Sequence, residues 1–162
     1  MSKSQQILDR SYTKCIESLG TNSFDSYFGI QNYSIQCIRT DERRFILTIH
    51  SKSPKNVFVL NQTKLSSDVI QHIYAFLENK IQIISEIIFS TDYPFKPHQC
   101  YIKSAYTMKY NQEDGKVCKQ NIRSKLAPSC TFYNKQLEYS WITSVNFENH
   151  ILCYITLILS LL

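Results

Sequence analysis

The chain has 162 residues, 43% of them apolar and 19% charged, with a formal net charge of +5. That length suits one domain with a real core and is too short to expect two, while only three glycines and four prolines exclude collagen-like and Gly/Pro-rich disordered classes. The basic residues are dispersed among acidic neighbours, as where Asp41-Glu42 precedes Arg43-Arg44, so a solvated surface is expected and a nucleic-acid partner is not.

The first residues, Met-Ser-Lys-Ser-Gln-Gln, carry no apolar stretch after a basic segment, so no secretory leader is expected. An intracellular, reducing setting, cytoplasmic or nuclear, follows. From Gln5 to Leu19, Leu8, Tyr12, Cys15 and Leu19 recur at helical spacing and Gly20 stands ready to end the segment, which predicts an amphipathic helix. Short-period alternation predicts strands at Tyr33 to Ile38, Phe45 to Ile49 and Asn56 to Asn61, with a longer apolar stretch from Ile81 to Phe89 and a further strand from Gln99 to Ser104.

One helix is expected within this run. Apolar residues at 65, 69, 70, 73, 76 and 77, with Ser66, Ser67 and Asp68 able to cap the start, place an inserted helix near 65–79. Its opening also resembles the first helix of an F-box, although the rest of that motif is missing. The last twelve residues, Ile151 to Leu162, have only Thr156 and Ser160 as polar interruptions. That is too short for a membrane span, and a helix apolar nearly all round needs burial or a protein partner to cover it. The order of elements gives an α+β domain with an antiparallel meander, because parallel crossovers would need helices between most strands.

Six cysteines (Cys15, Cys37, Cys100, Cys118, Cys130 and Cys153) are scattered without Cys-x-x-Cys pairs or Cys/His combs, so neither disulfides nor a structural metal is expected, and most should be buried. The most specific segment is Asp92-Tyr93-Pro94-Phe95-Lys96-Pro97. Pro94 and Pro97 lack amide hydrogens and push Tyr93 and Lys96 toward extended geometry, so the preceding strand must stop in a rigid turn, against which both rings can pack. Gly115-Lys116-Val117-Cys118 follows about twenty residues later, and then the lone Trp141. Cys118 lies between polar stretches that make poor core sequence, so it should be accessible, and Lys116 and Lys119 would favour its thiolate.

These features together resemble the central signature of ubiquitin-conjugating enzymes: a Tyr-Pro-Phe-x-Pro turn, a Gly-x-Ile/Val-Cys loop, and then a Trp. The resemblance covers roughly Ile81 to Leu162, and Ser160-Leu161-Leu162 reproduces the ending of a family helix. It implies a UBC-like fold with an N-terminal helix, a meander sheet, an active-site loop and a C-terminal helix, forming one domain over 1–162 without the family's further C-terminal helices. It also implies a chemistry in which Cys118 accepts ubiquitin or a ubiquitin-like protein from an activating enzyme as a thioester and passes it to a lysine or a ligase. A thiol suits this because sulfur is both a nucleophile and a good leaving group, and the resemblance implies no metal or organic cofactor. On the same resemblance Asn111 assists transfer, Gly115 lets the loop turn, Tyr93, Pro94, Phe95 and Trp141 shape the site, and the first helix meets the activating enzyme.

The chain also departs from the family pattern. Met108-Lys109-Tyr110-Asn111 stands where the family has His-Pro-Asn, and twenty-two residues separate Cys118 from Trp141, bearing four Lys/Arg against one Glu where family loops of that length are acidic. The alternative is a catalytically silent relative of the same fold, serving as a scaffold or binding subunit. A Cys/His hydrolase would need His50, His72, His98 or His150 as its base, but none has a motif around it. His98 is expected to be structural, and Cys130 is a weaker nucleophile candidate than Cys118.

Overall fold

The computed structural model describes residues 2–20, 33–51, 80–111, 116–143 and 147–162. Helix α1 (Lys3–Gly20) is followed by strands β1 (Tyr33–Asp41), β2 (Arg44–Ser51), β3 (Ile81–Ile88), β4 (Gln99–Asn111) and β5 (Lys116–Asn121), then helices α2 (Arg123–Ser140) and α3 (Phe147–Leu159). The strands form one antiparallel sheet in the order β1-β2-β3-β4-β5. The expected α+β class and meander are therefore present. The strand expected at Asn56 to Asn61, the helix near 65–79 and Gly115 lie outside the described residues.

Period-two alternation sets which sheet face is covered. Phe45, Leu47 and Ile49 on β2, with Ile81, Ile83, Ser85 and Ile87 on β3, point into the core, and their neighbours along each strand are half-buried or exposed. α1 brings Leu8 and Cys15 onto this face, with the Tyr12 ring 5.0 Å from that of Phe45. Asp9 pairs with Arg39 of β1 at 2.7 Å and fixes the helix along the sheet edge. The Cys15 thiol hydrogen-bonds with Cys37 of β1, and that contact together with burial pushes its pKa up.

α3 lies in the core. Ile151, Tyr154, Ile155 and Ile158 have no exposed surface, and Tyr154 OH shares a 2.9 Å hydrogen bond with Ser85 Oγ. Of the two expected ways to cover Ile151 to Leu162, burial or a partner, the structure shows burial: the apolar face is covered by the chain itself. Among the described residues no helix is long and apolar enough to cross a membrane.

α2 is a correction, because the segment after Cys118 was expected as an extended loop and is instead an 18-residue helix. Leu126, Cys130, Tyr133 and Leu137, spaced four, three and four apart, form its buried stripe. Asn121 Oδ1 accepts the Arg123 N–H at 2.9 Å and so serves the helix start. Cys130 is buried on this helix, and its thiol donates to Cys100 O at 2.8 Å, so it is no competing nucleophile.

α2 also solves a backbone problem. β5 pairs with β4 only from Tyr106 to Asn111, which leaves the outer edge of β4 without a strand from Gln99 to Ala105. Asn134 fills that role at Cys100: its Nδ2 donates to Cys100 O and its Oδ1 accepts from Cys100 N, each at 2.9 Å. Arg123 Nε donates to Ile102 O at 2.9 Å, and Ile122 N to Ala105 O at 2.9 Å. The edge is thereby capped by side chains and the start of the helix.

Candidate functional site

The Tyr-Pro-Phe-Lys-Pro segment forms the turn between β3 and β4, as its prolines require. Phe95 N and Lys96 N both donate to Asp92 O, at 2.7 and 3.2 Å, and Lys96 Nζ pairs with Asp92 at 2.7 Å on the surface. Arg43, in the β1–β2 turn, donates to Ser90 O at 2.7 Å and ties this turn to the neighbouring hairpin. The Tyr93–Pro94 peptide is cis.

The two rings of the turn have different fates, which corrects the expectation that both pack. Tyr93 is buried, edge-on to Phe89 at 4.8 Å, and burial raises the pKa of its phenol. Phe95 is 78% exposed. Beside it runs a groove of about 600 Å3 whose walls include Phe95, Lys96, Pro97, Gln99, Glu138 and Trp141. Trp141 Nε1 donates to Pro94 O at 2.7 Å and its ring stacks on His150 at 4.9 Å, so the indole is held in one orientation. Tyr139 at 89% and Ile142 at 58% exposure flank the same end of α2.

Beneath the groove lies His98, fully buried, with neither ring nitrogen hydrogen-bonded. Its ring sits 5.3 Å from Phe89, 5.6 Å from His150, 5.7 Å from Phe147 and 5.9 Å from Trp141. Burial, and secondarily the charge of His150, lowers its pKa from the usual 6.5 to about 3. It is a neutral core aromatic, and its surroundings give it no role as a base.

Cys118 occupies the other end of the sheet. It is exposed, on β5 opposite Lys109, and Asn111 lies two positions further along the same ladder, opposite Lys116. From the Gln99–Ile88 pair to the Lys109–Cys118 pair the sheet extends ten residues along β4, roughly 30 Å. α2 starts beside Ala105 and Ile102 and runs back past Cys100 to Trp141 at the proline turn, its 18 residues covering about 27 Å. The structure thus brings Tyr93, Pro94, Phe95 and Trp141 together, places Cys118 and Asn111 on one hairpin, and separates these two groups by the length of the domain. Among the described residues no group of three or more His, Cys, Asp or Glu is placed to hold a metal.

Glu138 lines the groove, and Tyr139 and Ile142 stand exposed at the same end of α2; none of the three is a sequence-predicted site residue. The one signal for them is the 126, 130, 133, 137 spacing, a short stripe that Pro128 and a largely polar surface mask. Comparison with family models, curated proteins and solved structures gives no match.

Proposed function

We propose that the chain is a protein-binding module built on a UBC-like frame, a scaffold or binding subunit that seats an apolar side chain of its partner in the groove between Phe95 and Trp141. The observation that carries this reading is an exposed phenyl ring beside an indole fixed at both its nitrogen and its face. A rigid aromatic presented to solvent loses little side-chain entropy on contact, and aromatic anchors dominate interface energetics. Acyl transfer from a thioester, in contrast, needs thiol, oxyanion support and acceptor guide within a few ångströms of one another.

A second reading keeps ubiquitin-like conjugation, with an activating enzyme and a ligase as further partners. It is favoured by one observation, the exposure of Cys118 on the same hairpin as Asn111. In that case the thiol acts without Trp141.

Two experiments separate the readings. A benzophenone side chain in place of Phe95 should crosslink a protein partner whose capture is lost on Trp141→Ala, and the same probe at position 118 should capture none. Absence of any crosslink from position 95 would overturn the binding reading. Incubation with activating enzyme, ATP and ubiquitin should leave Cys118 unmodified. A reducible adduct, lost in Cys118→Ala and stable in Cys118→Ser, would put the transferase first.

A further inference from the structure

The sheet face away from the described helices divides by charge along its length. Near the proline turn, Glu86 is contacted by Arg44 at 3.7 Å and Lys103 at 3.1 Å, so opposite charges are matched. Toward the hairpin end, among the described residues, Lys80 and Lys119 have no such company. His50 pairs with Gln82, and Gln82 with Tyr106. One step further, Lys80 and Lys119 flank Met108: Lys80 O accepts the Met108 N–H at 2.9 Å, and Lys119 is the ladder partner of Met108. Strand alternation places Lys80 with Gln82, and Met108 with Tyr106, on one face. Among the described residues no ion pair holds Lys80 or Lys119.

These six side chains line a cavity of about 330 Å3. Lys119 Nζ stands 3.9 Å from the centre of the Tyr106 ring, which steadies the ammonium without neutralising it. Lys80 and Lys119 are separated by two inter-strand spacings, about 10 Å, a gap that two long lysine side chains can close onto a single anion. Gln82 and His50 add hydrogen-bond donors, and Met108 with the Tyr106 ring supplies an apolar floor.

We propose that this cavity binds a phosphate monoester of a small molecule, its dianion between Lys80 and Lys119 and its esterified group over Met108 and Tyr106. The monoester dianion matches two ammonium groups, and the enclosed volume exceeds what a bare phosphate fills while lying at the small end of ligand pockets. The cavity is on the opposite sheet face from Cys118 and at the opposite end from the Phe95 groove, so it stands independently of the proposed function.

Calorimetric titration of the full chain tests it with AMP, adenosine, inorganic phosphate and a phosphoserine peptide as probes. AMP is expected to bind at least about tenfold more tightly than adenosine, with inorganic phosphate weaker than AMP but measurable, and with affinity falling as salt rises. Lys80→Ala and Lys119→Ala should each weaken AMP about tenfold, and Lys103→Ala, on the same face but paired with Glu86, should leave it unchanged. The proposal is overturned if neither phosphate nor AMP binds at millimolar concentration, if adenosine matches AMP, or if Lys103→Ala weakens binding as much as Lys119→Ala. Tighter binding of the peptide than of AMP would also overturn it, by moving the ligand to a protein-borne phosphate.

Discussion

The two ends of β4 are built on different principles. At its start, Cys100 has both backbone groups satisfied by Asn134, and His98, Phe89, Phe147 and Trp141 enclose one another in a fixed aromatic cluster. At its end, the strand leaves the helices behind and pairs with β5 in a hairpin whose Cys118 through Asn121 are all exposed. One end is held by packing and directional hydrogen bonds and presents a rigid groove, while the other presents charge and a thiol on a strand edge. Substitutions in the buried cluster of the first end should therefore be read out in stability, and those on its exposed groove or at the second end in binding.

Acid should produce the largest effect and act on the aromatic end. The unfolded chain protonates His98 below about pH 6.5, whereas the folded chain resists until about pH 3. Stability is therefore complete above pH 6.5 and declines through that window as pH falls, by a few kcal/mol at roughly 1.4 kcal/mol per pKa unit. Urea unfolding at pH 7 and pH 4 measures this, and His98→Phe should flatten the difference. An unchanged slope in that variant would place the acid sensitivity elsewhere. Next in size, Asn134→Ala leaves the buried Cys100 N–H without a partner and its C=O with the Cys130 thiol alone, and should cost about 2 kcal/mol, against well under 1 kcal/mol for Lys119→Ala at the hairpin end. Equal costs would erase the distinction between the two ends. Smallest in stability is Phe95→Ala, expected within about 0.5 kcal/mol of the parent because the ring is exposed, while partner capture at the groove is lost.

How much of this the sequence foretold depended on the kind of signal. Strands β2 and β3 were legible because one face is buried and the other is not, so Phe45-Leu47-Ile49 and Ile81-Ile83-Ser85-Ile87 alternate cleanly. The proline turn was legible because Pro94 and Pro97 act on the backbone locally. α2 was not, since Pro128 and a largely polar surface mask a stripe of only four buried residues, and the family resemblance assigned its place to a loop. The separation of Cys118 from Trp141 was hidden for the same reason. Twenty-two residues read as loop can fold back on themselves, but with 18 of them in a helix they carry the chain about 27 Å toward the proline turn. The exposure of Phe95 beside the burial of Tyr93 was also out of reach, because composition does not say which of two adjacent rings faces in.

The separation of the two ends is open to one direct measurement, because the chain has a single tryptophan. With Cys153, the other exposed cysteine, replaced by Ser, a fluorescent acceptor on Cys118 reports its distance from Trp141 by energy transfer. The structure requires weak transfer, corresponding to at least about 27 Å, the length of α2. Near-complete quenching of Trp141, as expected for a thiol within about 10 Å of the indole, would contradict the fold at this point and return the aromatic cluster to the side of a reactive cysteine.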